Sequence, residues 1–203
     1  MSSAIEWGVA SRALPGQPAS GDLNVVKSFP DGVLIAALDG LGHGEEAAIA
    51  AAVAAATLQT YAAEPVTDLV QRCHEALRAT RGVAMSIASF CVSRGLLTWL
   101  GVGNVEGVLL RRGFLRAKTE VPLLLRSGVV GFHLPSLDVE VLPISAGDTL
   151  IFATDGIHSD FARGLARNCP PQKAADKILA RHGKTTDDAL VLVVRYLREG
   201  APE

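Results

Sequence analysis

Cysteine is scarce in this chain. Cys73, Cys91 and Cys169 are the three among 203 residues, and none forms a C-x-x-C pair. An odd, scattered set argues against a disulfide framework and against a zinc site, and each reads as a small buried hydrophobe in a reducing compartment. Charge of one sign is missing too: 19 basic residues face 21 acidic ones, the formal net charge is −2, and no basic run reaches five residues. Nucleic acid and an anionic membrane surface are therefore not expected as partners. Long apolar runs are absent as well. The most membrane-like stretch, residues 47–63, is mostly alanine and follows two glutamates, which suits a buried helix better than a membrane span. The start, MSSAIEWGVA, has no basic n-region and no long apolar core, so a cytoplasmic location is expected. Without repeats, linkers, low-complexity segments or a coiled coil, residues 1–203 read as a single domain and a monomer.

What the chain does have is apolar content, 49% of its residues, enough for a sizeable core. Residues 5–12 and 23–29 read as short strands, and FPDG (29–32) as the turn of a hairpin into a continuous apolar strand at 33–38. Residues 44–63 read as a helix, with Glu45 and Glu46 in its first turn, where the macrodipole favours acids. Pro65 breaks it. A second helix is expected over 66–80 from Val66, Leu69, Val70, Cys73 and Leu77, and Gly82 stops it. AMSIASFCVS, LLTWLGVG, VEGVLLRR and GFLRAKT then read as a meander of antiparallel strands. Further strands are expected at 137–144, within 146–156 and at 189–197, with two short helices in 159–182 separated at Pro170–Pro171. This order predicts an α+β fold of mainly antiparallel sheets, a sandwich flanked by helices.

The acids fall in a pattern. Two apolar strands end alike, LIAALDG at Asp39–Gly40 and LIFATDG at Asp155–Gly156. Asp187–Asp188 precedes the final strand, and Asp22 opens one. If the last strand runs opposite to the other two, Asp39, Asp155 and Asp187 share one edge of a sheet. Carboxylates clustered without lysine or arginine nearby repel one another, and their desolvation is costly. A divalent cation relieves both, and oxygen-only ligands suit Mg²⁺ or Mn²⁺. Two such ions about 3.5–4 Å apart can activate a water and clamp a phosphoryl group. Any one Asp-Gly pair alone is an ordinary turn; taken together, the pairs read equally as turns or as a metal site.

The ordered set SGD (20–22), DGLGHG (39–44), GVGN (101–104), ATDG (153–156) and TDDALVLVVR (186–195) resembles the metal-dependent protein phosphatases of the type two C superfamily. Within it, the set is most similar to the bacterial branch that controls sigma-factor and sporulation pathways, with GVVG at 128–131 and the near-minimal length adding to the likeness. The resemblance spans residues 5–197. It implies two antiparallel β-sheets packed as a sandwich between α-helices, four layers in all. It also implies hydrolysis of phosphoserine or phosphothreonine by a metal-activated water at a binuclear Mn²⁺ or Mg²⁺ site. By position, Asp39 would bridge two metals, the Gly40 carbonyl would ligate one, and Asp155 and Asp187 would ligate the other. Asp22 would act on the metal shell through water. Asp188 would order the turn, or exchange roles with Asp187. Asn104 stands where larger members carry an acid, which leaves a third metal without its ligand.

The family's phosphate-clamping arginine has Arg12 as its candidate, ten residues before Asp22. His43 is a candidate general acid. It sits at a helix N-terminus, which disfavours a charged imidazole, so orienting a water or the helix start is the competing role. The resemblance implies phosphorylated stressosome or STAS-domain proteins as substrates, and the glycine-rich segment 117–136, with apolar side chains that could meet a partner, reads as the rim. A catalytically inactive regulator and a small-phosphoester hydrolase are the alternative readings.

Overall fold

The computed structural model describes residues 4–112, 120–166 and 168–198. Its elements run β1 (Ile5–Arg12), β2 (Asp22–Phe29), β3 (Gly32–Gly40), α1 (Glu45–Thr60), α2 (Val66–Ala76), β4 (Val83–Cys91), β5 (Leu96–Val102) and β6 (Glu106–Leu110). Then follow β7 (Glu120–Pro122), β8 (Leu125–Arg126), β9 (Glu140–Pro143), β10 (Thr149–Ala153), α3 (Pro171–His182) and β11 (Ala189–Tyr196). One sheet has the order β1-β11-β10-β6-β7. The other has the order β2-β3-β4-β5-β8, with β9 also paired to β5. All pairings are antiparallel except the two-residue pairing of β8 with β5, which is parallel.

Strand periodicity builds three cores and so four layers. Side chains alternate across a strand, and β3 is apolar on both faces. Leu34, Ala36 and Leu38 enter a core shared with α1 and α2, while Val33, Ile35 and Ala37 enter the core between the sheets. The same division holds in the other sheet. Leu190, Leu192 and Val194 of β11 face the inter-sheet core, and Ala189, Val191 and Val193 face α3. An α+β sandwich of two sheets flanked by helices is thus the observed fold.

Alanine lets α1 lie close on its sheet: Ala47, Ala50, Ala51 and Ala54 are fully buried. The approach is tightest at Gly40, where a Cβ would stand 2.1 Å from the Ala47 carbonyl oxygen.

Several local expectations are corrected. No helix forms among the described residues of 159–169, where 159–164 are turns, and one helix, α3, follows. Gly164 adopts a φ of +71° within that stretch, a left-handed turn that a helix cannot continue through. α1 ends at Thr60 and α2 at Ala76, short of 63 and 80, and the strand expected over 137–144 is confined to Glu140–Pro143. GFLRAKT (113–119) lies outside the described residues.

Candidate active site

The acids meet at one end of the sandwich, and not along one sheet. Asp22 and Asp39 are direct partners in the β2–β3 ladder. Asp155 follows β10 and Asp187–Asp188 precede β11 in the other sheet, where β10 and β11 are antiparallel neighbours. The inferred strand directions hold for Asp155 and Asp187; the third strand belongs to the facing sheet. Inter-sheet packing therefore assembles the cluster.

Glycines make the close approach possible. A Cβ on Gly156 would lie 1.8 Å from the Asp188 carbonyl oxygen, and one on Gly21 would lie 2.9 Å from the Ala47 methyl. Gly40 donates its N–H to the Gly21 carbonyl at 3.0 Å.

Burial and mutual repulsion set the electrostatics. Asp39 is pushed up to about 8, first by burial and then by the charges of Asp22, Asp155, Asp187 and Asp188. Buried Asp22 is pushed up to about 7, again first by burial, although the Thr154 hydroxyl donates to its Oδ2 at 2.7 Å and opposes the shift. Burial and then Asp187 raise Asp155, against the nearby Lys184 charge and a 2.7 Å hydrogen bond from Asn104 Nδ2. Two carboxyls thus favour their neutral form near neutral pH unless a cation joins them.

Asp188 has a different task. Its Oδ1 accepts the Leu14 N–H and its Oδ2 the Gly21 N–H, each at 2.7 Å. It ties the 13–21 loop to the start of β11. Asp187 is partly exposed and accepts the Asp188 N–H at 2.9 Å.

The donors gathered here are carboxylates and backbone carbonyls, a set suited to a hard divalent cation. Among the described residues, no three His, Cys, Asp or Glu side chains close to a ligating arrangement as they stand.

Arg12 reaches this end through β1, opposite Ala189. Its Nη2 donates to the Lys184 carbonyl. His43 is exposed on the β3–α1 loop and makes no hydrogen bond to a described residue. Of the expected rim, residues 117–119 lie outside the described residues. Leu124 and Phe132 are exposed, and Val130 bridges to Val83, next to the Gly82 carbonyl that accepts the Leu41 N–H.

Sequence reasoning missed two residues. Thr154 was visible in ATDG, and its buried hydroxyl also accepts the Leu190 N–H at 2.9 Å. Lys184 carried no signal. It stands at a cluster expected to have no cation, with Nζ 2.6 Å from the Asp155 carbonyl oxygen.

Comparison with known proteins agrees with this architecture. The phosphoserine phosphatase RsbX of Bacillus subtilis (strain 168) is 31% identical over 94 residues, 46% of this chain and 47% of that protein. The alignment thus spans about half of RsbX. A solved structure from the bacterial stressosome, a modular system adapted to control secondary messenger signalling, superposes with a TM-score of 0.84 at 28% identity, covering 94% of this chain and 99% of the other. RsbX in complex with magnesium superposes at 0.80, with 22% identity and 95% of each chain covered. The PP2C phosphatase domain of SpoIIE from Bacillus subtilis gives 0.74 at 20% identity, covering 98% of this chain and 64% of that one. The family model for Stage II sporulation protein E (SpoIIE) matches residues 30–197. With most of its length matched and four layers arranged as in these phosphatases, the chain belongs to the SpoIIE family and has the PP2C phosphatase fold.

Proposed function

We propose that residues 1–203 act as one monomeric, Mn²⁺- or Mg²⁺-dependent protein phosphatase domain. It would hydrolyse phosphoserine or phosphothreonine in stressosome or STAS-domain regulatory proteins. The observation that carries this reading is the convergence of five aspartates from two sheets, with Asp39 and Asp22 raised to about 8 and about 7. A fold rarely retains carboxyls so buried and so close to one another unless something cationic joins them.

In this reading Asp39 and the Gly40 carbonyl, with Asp155 and Asp187, hold the cations, and Asp22 acts on them through water. A bound pair of ions would supply the Lewis-acid charge and the activated water of a two-metal hydrolase. The remaining work belongs to the chain. Thr154 fixes the Asp22 carboxyl, and Asn104 fixes that of Asp155. Arg12 keeps Nη1 unbonded among the described residues, which leaves it a donor to offer a phosphoryl oxygen. His43, with no carboxylate paired to it among the described residues, is assigned to orienting water at the start of α1. The exposed Leu124 and Phe132 give the rim an apolar face for a folded substrate.

The test is p-nitrophenyl phosphate hydrolysis by chelator-treated protein with Mn²⁺ or Mg²⁺ restored. Turnover should appear with metal in the wild type, and Asp39→Ala should lose it by a factor of 100 or more on the order expected for a group of this kind. Near-normal kcat in Asp39→Ala would overturn its role. Metal-independent turnover would overturn the mechanism.

A further inference from the structure

Lys184 lies in the loop between α3 and β11, three residues before Asp187. Every polar group it has is engaged. Its backbone N–H donates to the Gly156 carbonyl at 2.7 Å. Its Nζ donates to the Asp155 carbonyl at 2.6 Å. Its own carbonyl accepts Arg12 Nη2 from β1. One residue therefore grips both peptide carbonyls of the Asp155–Gly156 turn and is itself gripped by a neighbouring strand.

The surroundings leave that turn little freedom. On one side, Gly156 already touches the Asp188 backbone so closely that no Cβ fits. On the other, Gly183 pairs with Ile157, and the His158 N–H donates to the His182 carbonyl at 2.9 Å. The guanidinium that anchors Lys184 is buried at its Nε, which has no hydrogen-bond partner among the described residues. Lys184 thus ties the Asp155–Gly156 turn to the loop that leads into Asp187.

We propose that Lys184 is a positioning residue of the active site, a strap that holds the Asp155 turn against the loop leading to Asp187 and so keeps the two carboxylates within reach of a shared divalent cation. This rests on the metal-dependent reading above. It also gives the Asp155 carbonyl a fixed role: bonded to an ammonium, it faces Lys184 and leaves the side chain as that residue's ligand. Groups that orient ligands in this way typically govern metal affinity by about 10- to 100-fold.

The sign of the effect separates a strap from a bystander. Removing a positive charge beside a carboxylate cluster should, by electrostatics alone, tighten cation binding. Losing the strap should weaken it. Lys184→Met keeps the aliphatic stem and removes the ammonium; Lys184→Arg keeps a cationic donor. Calorimetry with Mn²⁺ on chelator-treated full-length protein should give a Kd about tenfold weaker for Lys184→Met and largely restored for Lys184→Arg. Thermal unfolding should confirm that both variants fold. Amide hydrogen exchange at residues 184–188 in metal-free protein should be faster in the Met variant only.

An equal or tighter Mn²⁺ Kd in a folded Lys184→Met protein overturns the strap. A wild type that binds no Mn²⁺ overturns the metal reading itself. In that case exchange decides the strap separately, and unchanged protection in Lys184→Met overturns it.

Discussion

At the scale of single residues, the carboxyls of Asp39 and Asp22 make stability depend on pH. Both keep their protons in the folded protein to a pH at which the unfolded chain, with ordinary values near 3.8, has long released them. The folded state binds more protons over that interval, so metal-free stability falls as pH rises from about 4 to about 8. Chelator-treated protein should therefore melt at a higher temperature at pH 5.5 than at pH 8.5. Asp39→Asn, neutral at both, should make the profile less steep, with Asp22 still titrating, and should melt above the wild type at pH 8.5. A wild-type profile that rises toward pH 8.5 would show that the cluster carries neither the cost of burial nor repulsion. Excess Mn²⁺ should reverse the trend, because a cation rewards the charged form.

At the scale of elements, α1 is set on β3 by the absence of side chains. With the Ala47 carbonyl 2.1 Å from where a Gly40 Cβ would sit, Gly40→Ala must push the helix away or bend the strand. Overpacking of this kind costs about 1–3 kcal/mol. The urea midpoint should drop with an unchanged slope, and Mn²⁺-dependent turnover should drop with it, since Asp39 is the adjoining residue. A variant as stable and active as wild type would mean that α1 slides freely.

Elements of this kind were legible where one periodicity ruled. β3 and β11 are unbroken apolar runs buried on both faces, and Asp-Gly at two strand ends marked the turns of the candidate site. The stretch 159–169 misled because its scattered apolar residues, Phe161 and Cys169 among them, are buried under α3 through turns. Lys184 was illegible for a different reason. Its partners, Arg12 and Asp155, are distant in the chain, and nothing local tells a lysine bonded to a carbonyl from one in water. The split of the acids between two sheets was hidden likewise: a strand's neighbours are not written in its own residues.

At the scale of the whole molecule, that split means the proposed active site spans the sandwich. Asp22 and Asp39 ride on one sheet and Asp155 and Asp187 on the other, with Val33, Ile35, Phe152 and Leu192 packed between. A cation held by both groups would tie the sheets together, and unfolding would have to release it. Binding to the folded state alone stabilises by about 2.7 kcal/mol at a ligand concentration 100 times Kd. Saturating Mn²⁺ should thus raise the wild-type Tm by several degrees. Asp39→Ala removes a ligand from one sheet and Asp155→Ala from the other, and each alone should abolish most of that gain. The metal-free Tm of both variants should equal or exceed that of wild type, because each relieves repulsion. If Asp155→Ala kept the full gain, the ion would be held by the β2–β3 sheet alone, and the proposed site would shrink to the ladder pair Asp22 and Asp39.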